Sequence, residues 1–319
     1  MAKILANDGI SDSGKVALEE KGFQVITEKV DQENLIETIN KEDIEVLLVR
    51  SATTARKELI DACPNLKIIG RGGVGMDNID VEYAKEKGLE VYNTPTASSS
   101  SVAELVFSHL FGMVRFLYES NRQMPLEGDK NFKELKKAYA GGKELAGKTL
   151  GIIGFGRIGQ EVAKRAIGLG MKVIAHDKFI TEANITLHFF NADKKTFTIE
   201  TTSLKDVLKA SDFVTLHIPK TGEKAVIGAE EIGLMKTGSG IINTARGGVI
   251  DEDALMFALD KGKLAYAALD VFNNEPNPSM HLMMHNNISL TPHIGAATQE
   301  AQDRIGTELA NKIISFFNK

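Results

Sequence analysis

Short runs rich in valine, isoleucine and leucine recur along this chain with amphipathic helical stretches between them, and this alternation limits the fold more than any other feature. The first series comprises Ile4 to Ala6, Gln24 to Thr27, Glu45 to Arg50, Lys67 to Ile69 and Glu90 to Tyr92, with helical stretches such as Gly14 to Lys21 and Val81 to Lys87. A second series starts with Leu150 to Ile153 and continues through Lys172 to His176, Phe213 to His217, Gly240 to Asn243, Ala265 to Asp270 and Ile288 to Leu290. Strands and helices in strict alternation call for parallel sheets covered by helices on both faces. The chain therefore reads as α/β, two doubly wound domains in succession, and its 319 residues exceed what one hydrophobic core usually fills.

The crossing between the series is placed near Ser98, where Ser98 to Ser101 offer caps for a helix starting near Val102. The last stretch, Thr298 to Phe317, is helical in pattern and brings no strand of its own, so it is expected to return to the first domain. The expected division is 1–97 with 295–319 for one domain and 98–294 for the other. Ile180 to Thr202 mixes β-branched and aromatic residues around Asn191-Ala192-Asp193, and an insertion or a hairpin both fit it.

With 38 Lys and Arg against 43 Asp and Glu, the net charge of -5 gives no general attraction to nucleic acid or to an anionic membrane. Cys63 is the only cysteine, which excludes an intrachain disulfide and a CxxC site and fits a reducing cytoplasm. The stretch Val102 to Tyr118 is interrupted by Glu104, His109 and Arg115 and is too short and polar to span a bilayer. Its apolar spacing suits core or dimer packing, with His109 buried and hydrogen-bonded or at a subunit contact. His281 and His285 lack a neighbouring Glu or Cys ligand, so no metal site is read there.

Gly154-Phe155-Gly156-Arg157-Ile158-Gly159 follows a strand and opens a helix, the context in which a GxGxxG pattern carries meaning. The first glycine permits the tight turn, the second lets backbone approach a pyrophosphate at the helix N-terminus, and the third packs helix against strand. Asp177 ends the next strand, 18 positions after Gly159. A carboxylate there accepts hydrogen bonds from ribose hydroxyls and repels a 2'-phosphate, which favours NAD over NADP; the neighbouring Lys178 softens that discrimination.

Polar residues gather at three further strand ends: Asn243-Thr244-Ala245-Arg246-Gly247-Gly248, Asp270 to Pro276, and Leu290-Thr291-Pro292-His293-Ile294-Gly295. Ligands of open α/β sheets bind at the carboxyl ends of strands, so these segments are expected to converge. Hydride transfer to a 2-oxo acid needs a cation for the carboxylate and carbonyl, and a proton donor for the developing alkoxide. Arg246 and His293 have these chemistries, and Glu275 is expected to orient the imidazole and raise its pKa.

Gly151 to Gly159, Asn243 to Leu255 (NTARGGVIDEDAL), Ala268 to Pro276 (ALDVFNNEP) and Leu290 to Glu300 (LTPHIGAATQE) resemble the signatures of the D-isomer-specific 2-hydroxyacid dehydrogenase family, and the resemblance covers nearly the whole chain. It implies a Rossmann NAD domain inserted in a flavodoxin-like substrate domain, a cleft between the two, and a homodimer built on the long helices after the crossover. It also implies that Arg246, Glu275 and His293 are catalytic, that Asp270 lies near the nicotinamide carboxamide, and that His217-Ile218-Pro219, Thr244-Ala245 and Gly295 line the cofactor.

Val49 to Thr54 (VRSATT) and Gly70 to Asn78 (GRGGVGMDN) resemble segments of the D-3-phosphoglycerate dehydrogenases within that family. A phosphorylated acid calls for extra arginines and exposed backbone N–H groups, which Arg50, Ser51, Arg71, Gly72 and Gly73 offer. The resemblance thus implies oxidation of D-3-phosphoglycerate to 3-phosphohydroxypyruvate, the first step of serine biosynthesis. The chain ends soon after Phe317, so a C-terminal regulatory extension and serine feedback through it are not expected. Hydroxypyruvate or glyoxylate reduction is the enzymatic alternative, and an NAD-sensing corepressor of the same fold is the alternative from another class.

Overall fold

A computed structural model describes residues 2–318. The chain opens with β1 (Lys3–Ala6), α1 (Asp12–Glu19), β2 (Gln24–Ile26), α2 (Leu35–Lys41), β3 (Ile44–Val49), α3 (Lys57–Ala62), β4 (Ile68–Arg71), α4 (Val81–Glu86) and β5 (Glu90–Asn93). Next come α5 (Ser99–Val114), α6 (Leu117–Glu127) and α7 (Phe132–Ala138). The second series follows as β6 (Thr149–Ile153), α8 (Arg157–Gly168), β7 (Lys172–His176), β8 (Glu182–His188), β9 (Lys194–Glu200), α9 (Leu204–Ala210), β10 (Phe213–Leu216), α10 (Ala229–Leu234) and β11 (Ser239–Asn243). It ends with α11 (Glu252–Asp260), β12 (Leu264–Leu269), α12 (Met280–Met283), β13 (Ile288–Leu290) and α13 (Gln299–Phe317).

Two compact units result, Met1–Ser101 with Ala296–Lys319, and Val102–Gly295. In the first, the strands run parallel in the order β2-β1-β3-β4-β5. Alternate residues of these strands face opposite layers. Leu5, Leu47, Val49 and Ile69 meet Leu35, Ile39, Leu59 and Ile60 from α2 and α3, while Ile4, Ala6, Val46, Leu48 and Ile68 meet Leu18 of α1 and Ile305, Leu309 and Ile313 of α13. Burial on both faces explains why the strands read as near-continuous apolar runs. Helices α1 and α13 cross so closely that a Cβ on Gly14 would lie 2.7 Å from the Gly306 carbonyl carbon.

The second unit carries a six-stranded parallel sheet in the order β13-β12-β11-β10-β6-β7. One face is filled by Val207, Ile232, Leu255 and Leu259 of α9, α10 and α11, the other by Val106 and Leu110 of α5 and Val162 and Ala166 of α8. Both parallel sheets are thus wound with helices on either side, the α/β class read from the sequence.

Some local details depart from the pattern. Helix α5 starts at Ser99, so Ser99 to Ser101 form its first turn instead of capping a later start, and the units divide inside it, between Ser101 and Val102, not at Ser98. The stretch to Tyr118 is not one helix either: Phe116 takes a left-handed φ of 55° and α6 starts anew at Leu117. No single helix among the described residues is long and apolar enough to cross a membrane; α5 and α6 taken together are bent by 55° at that break. Ile180 to Thr202 contains an antiparallel hairpin, β8 with β9, whose Ile185 is fully buried against the core beneath α8.

Candidate active site

Each strand of the second sheet hands its chain, at the carboxyl end, to a residue of the candidate site. Along the edge these are Thr291 after β13, Asp270 after β12, Thr244 after β11, His217 after β10, Gly154 after β6 and Asp177 after β7. The sheet starts at β6 and winds away from it in both directions, so the crevice of a doubly wound sheet opens between β6 and β10.

At that point Gly154 has φ 92°, and a Cβ on it would lie 2.5 Å from the His217 carbonyl oxygen. Gly159 packs directly on the Gly154 carbonyl, which fixes the start of α8 against the turn. Gly156 differs: it is the N-cap of α8, and a Cβ there would meet nothing within 4 Å. Gly156 therefore borders open space and leaves the backbone of the turn accessible there. Phe155 is wholly buried, so only its backbone can serve a cofactor, while Arg157 is exposed and Ile158 packs toward the core.

The Asp177 carboxylate accepts the Phe155 N–H at 2.7 Å, the Phe179 N–H at 2.8 Å and the Ile180 N–H at 3.1 Å. Burial alone would raise its pKa, but these N–H groups, with His176 nearby, hold it below the ordinary carboxylate value. A carboxylate offers about four lone-pair sites, so an ionised Asp177 keeps capacity for a hydroxyl donor. On the neighbouring strand ends, His217 Nδ1 and Thr244 Oγ1 are buried without a hydrogen-bond partner in the described structure. Buried polar atoms are rarely left so, and two of them beside an open glycine turn fit the residues to a dinucleotide. Burial pushes the His217 imidazole down to about 3, so it is neutral at physiological pH.

Arg246 sits in a turn held by Asn243, whose Nδ2 donates to the Arg246 carbonyl at 2.9 Å and whose Oδ1 accepts the Ala245 N–H at 3.0 Å. Gly247 lies in direct contact with the backbone of Phe272, where any Cβ would clash, so only glycine lets the Arg246 turn abut the 272–275 loop. In that loop Glu275 accepts the Phe272 N–H on Oε1 at 2.9 Å and meets His293 Nδ1 with Oε2 at 2.7 Å. His293 has φ 55° and is partly exposed. Asp270, nearly fully buried, accepts the Ile294 N–H at 2.8 Å and the Gly295 N–H at 2.9 Å, anchoring the chain just past His293. Arg246, Glu275 and His293 thus stand on the ends of neighbouring strands, with the last two in contact.

In the first unit, Arg50 and Arg71 lie at the carboxyl ends of adjacent strands, and Gly72 N–H donates to the Val49 carbonyl at 2.9 Å. The Arg71 guanidinium folds against Gly73, whose φ is 149°. Arg50 borders a cavity of about 260 Å³ with Ser11, Gly72 and Gln302. Ser51 is exposed. Two residues given no role in the sequence reading pin this loop: Asp8 accepts the Arg50 N–H at 2.7 Å and the Thr53 N–H at 3.0 Å, and Asn78 Nδ2 donates to the carbonyls of Arg50 and Thr53. Asp8 follows β1 at the strand end, which is the one cue that marks it in the sequence.

Sheet, glycine turn and acidic strand end together define a dinucleotide-binding α/β enzyme. Residues 107–295 match the model of the D-isomer specific 2-hydroxyacid dehydrogenase NAD-binding domain. The chain is 42% identical to a hydroxypyruvate reductase of Thermotoga maritima over 98% of this chain and 97% of that protein. It is also 42% identical to a D-3-phosphoglycerate dehydrogenase of Methanocaldococcus jannaschii, covering 98% of this chain but 57% of that longer protein. An NAD+-bound 3-phosphoglycerate dehydrogenase from Entamoeba histolytica superposes with a TM-score of 0.78 at 30% identity, covering 100% of this chain and 96% of the other. This chain belongs to the D-isomer-specific 2-hydroxyacid dehydrogenases, and its cofactor is NAD.

Proposed function

We propose that this enzyme oxidises D-3-phosphoglycerate to 3-phosphohydroxypyruvate, with Arg246, Glu275 and His293 as its catalytic residues. The contact between Glu275 Oε2 and His293 Nδ1 carries the proposal, because with Nδ1 engaged Nε2 is the ring nitrogen left for proton transfer. In oxidation Nε2 accepts the hydroxyl proton; in reduction it returns a proton to the carbonyl oxygen as negative charge builds there. Arg246 holds the substrate carboxylate and stabilises charge on the reacting oxygen. When bound, NAD supplies the two-electron redox partner. The turn from Gly154 to Gly159 would hold its pyrophosphate and Asp177 its ribose, with His217 to Pro219, Thr244, Ala245, Asp270 and Gly295 along the remainder.

Arg50 and Arg71, with the exposed Ser51, supply the charge and a donor that a phosphate needs, and this favours a phosphorylated acid over glyoxylate; the Gly72 and Gly73 N–H groups expected to add to them are taken by the Val49 and Arg71 carbonyls. On this reading the first unit is the substrate-binding domain and the enzyme is a homodimer. Hydroxypyruvate reduction is the second reading, favoured by the full-length relative of that name. Steady-state kinetics with NADH against 3-phosphohydroxypyruvate, hydroxypyruvate and glyoxylate decides between them. We expect the highest kcat/KM for the phosphorylated acid, lost on Arg71→Ala; a preference for hydroxypyruvate would overturn the assignment. His293→Ala is expected to lower kcat by about 10²–10⁴, the usual worth of a general acid–base group.

A further inference from the structure

His109 lies on α5, is 4% exposed, and belongs to none of the segments assigned to cofactor or substrate. Its ring is nonetheless fully engaged, with Nδ1 2.8 Å from Ser289 Oγ and Nε2 3.0 Å from Thr291 Oγ1. Thr291 in turn donates its hydroxyl hydrogen to Asp270 Oδ1 at 2.6 Å. A threonine hydroxyl has one hydrogen, so Thr291 can only accept from His109, and the imidazole must carry its proton on Nε2. Nδ1 is then the acceptor, taking the Ser289 hydroxyl hydrogen. Burial pushes the ring's pKa down, against the opposing pull of the Asp270 charge, in keeping with this neutral form.

The far end of this chain of hydrogen bonds is the His293 loop. Asp270 also accepts the N–H groups of Ile294 and Gly295, and Thr291 N–H donates to the Leu269 carbonyl at 3.1 Å. The loop is thereby gripped on both sides of His293, whose left-handed φ of 55° is a conformation that a non-glycine residue keeps only under such constraint. We propose that His109 is a positioning residue for the reaction: through Thr291 and Asp270 it fixes the His293 loop in the turn that brings Nδ1 to Glu275. A leucine in its place would leave Thr291 without the donor that orients its hydroxyl toward Asp270, while the contacts of Asp270 itself stay in place.

This inference rests on His293 being the proton-transfer group. The experiment combines steady-state kinetics of 2-oxo acid reduction with 15N-histidine NMR of the cofactor-free protein. The wild-type spectrum is expected to show His109 as the Nε2–H tautomer, unchanged between about pH 6 and 8, around the ordinary histidine value. His109→Leu is expected to lower kcat by about tenfold, the order seen when an outer hydrogen-bond partner of a working histidine is lost, with KM for the acid unchanged. His109→Gln, whose amide can donate to Thr291 and accept from Ser289, is expected to recover most of the rate. Thr291→Val, close to isosteric, is expected to reproduce the loss, and the double variant to be no worse than either single one. Full kcat in both His109→Leu and Thr291→Val, or a Nδ1–H tautomer in the wild type, would overturn the inference. If His293→Ala kept its turnover, the assigned function would fall instead.

Discussion

His293 holds a backbone conformation that costs a non-glycine residue about 1–3 kcal/mol, and the hydrogen bonds that converge on Asp270 and Glu275 are of the number and kind that offset it, each contributing about 0.5–1.5 kcal/mol net. Among single residues, His217 makes the clearest link between burial and stability. Its imidazole is pushed down to about 3, whereas in an unfolded chain it titrates near 6.5. Between these values the unfolded state binds a proton that the native state refuses. The native state is therefore at full advantage above about pH 6.5 and loses it as the pH falls toward 3. We expect the urea midpoint to drop from pH 7 to pH 4.5, and His217→Phe to show a shallower drop. Parallel acid limbs for the two proteins would show that His217 does not set this dependence. The sequence marks His217 as a strand end that the family resemblance places along the cofactor; that its Nδ1 is buried without a partner only the structure shows.

At the level of elements, several helices announce their own start. Ser11, Ser203, Asp251 and Thr298 accept N–H groups from the first turns of α1, α9, α11 and α13, each a cap of the type found just before a periodic apolar run. The hairpin β8–β9 announces much less. Its strands are mostly exposed on one side, so strict apolar alternation is missing, and Asn191-Ala192-Asp193 forms part of a five-residue connection instead of a two-residue turn. Its anchor is Ile185, buried with Ala183 and Ile199 packed beside it, whereas Phe190 at the tip is fully exposed. Ile185→Ala is expected to cost about 2–5 kcal/mol in urea denaturation. Phe190→Ser should stay within about 0.5 kcal/mol. Equal effects for the two would mean that the hairpin is not held through Ile185.

For the whole molecule, Leu117, Leu126 and Phe132 on α6 and α7 are 62, 76 and 56% exposed, more apolar surface than neighbouring helices of a lone chain usually show. Light scattering is expected to give twice the 34.7 kDa chain mass, and Leu126→Glu with Phe132→Glu to shift it toward one chain mass. A monomeric wild type would remove the dimer from the reading. The strands, the glycine turn and the Arg, Glu and His segments are legible in the sequence because each leaves a local mark, whether β-branched runs, a glycine where φ is positive or polar residues just past a strand, and the parallel sheets are legible through the alternation of those strands with helices. What only the tertiary structure decided are the contacts between residues far apart in the chain, such as His109 with Thr291, Asp8 with Arg50, and Gly247 with Phe272. No periodicity encodes these pairs, since each arises where segments distant in the chain, strand ends and in one case the covering helix α5, are brought side by side by the fold.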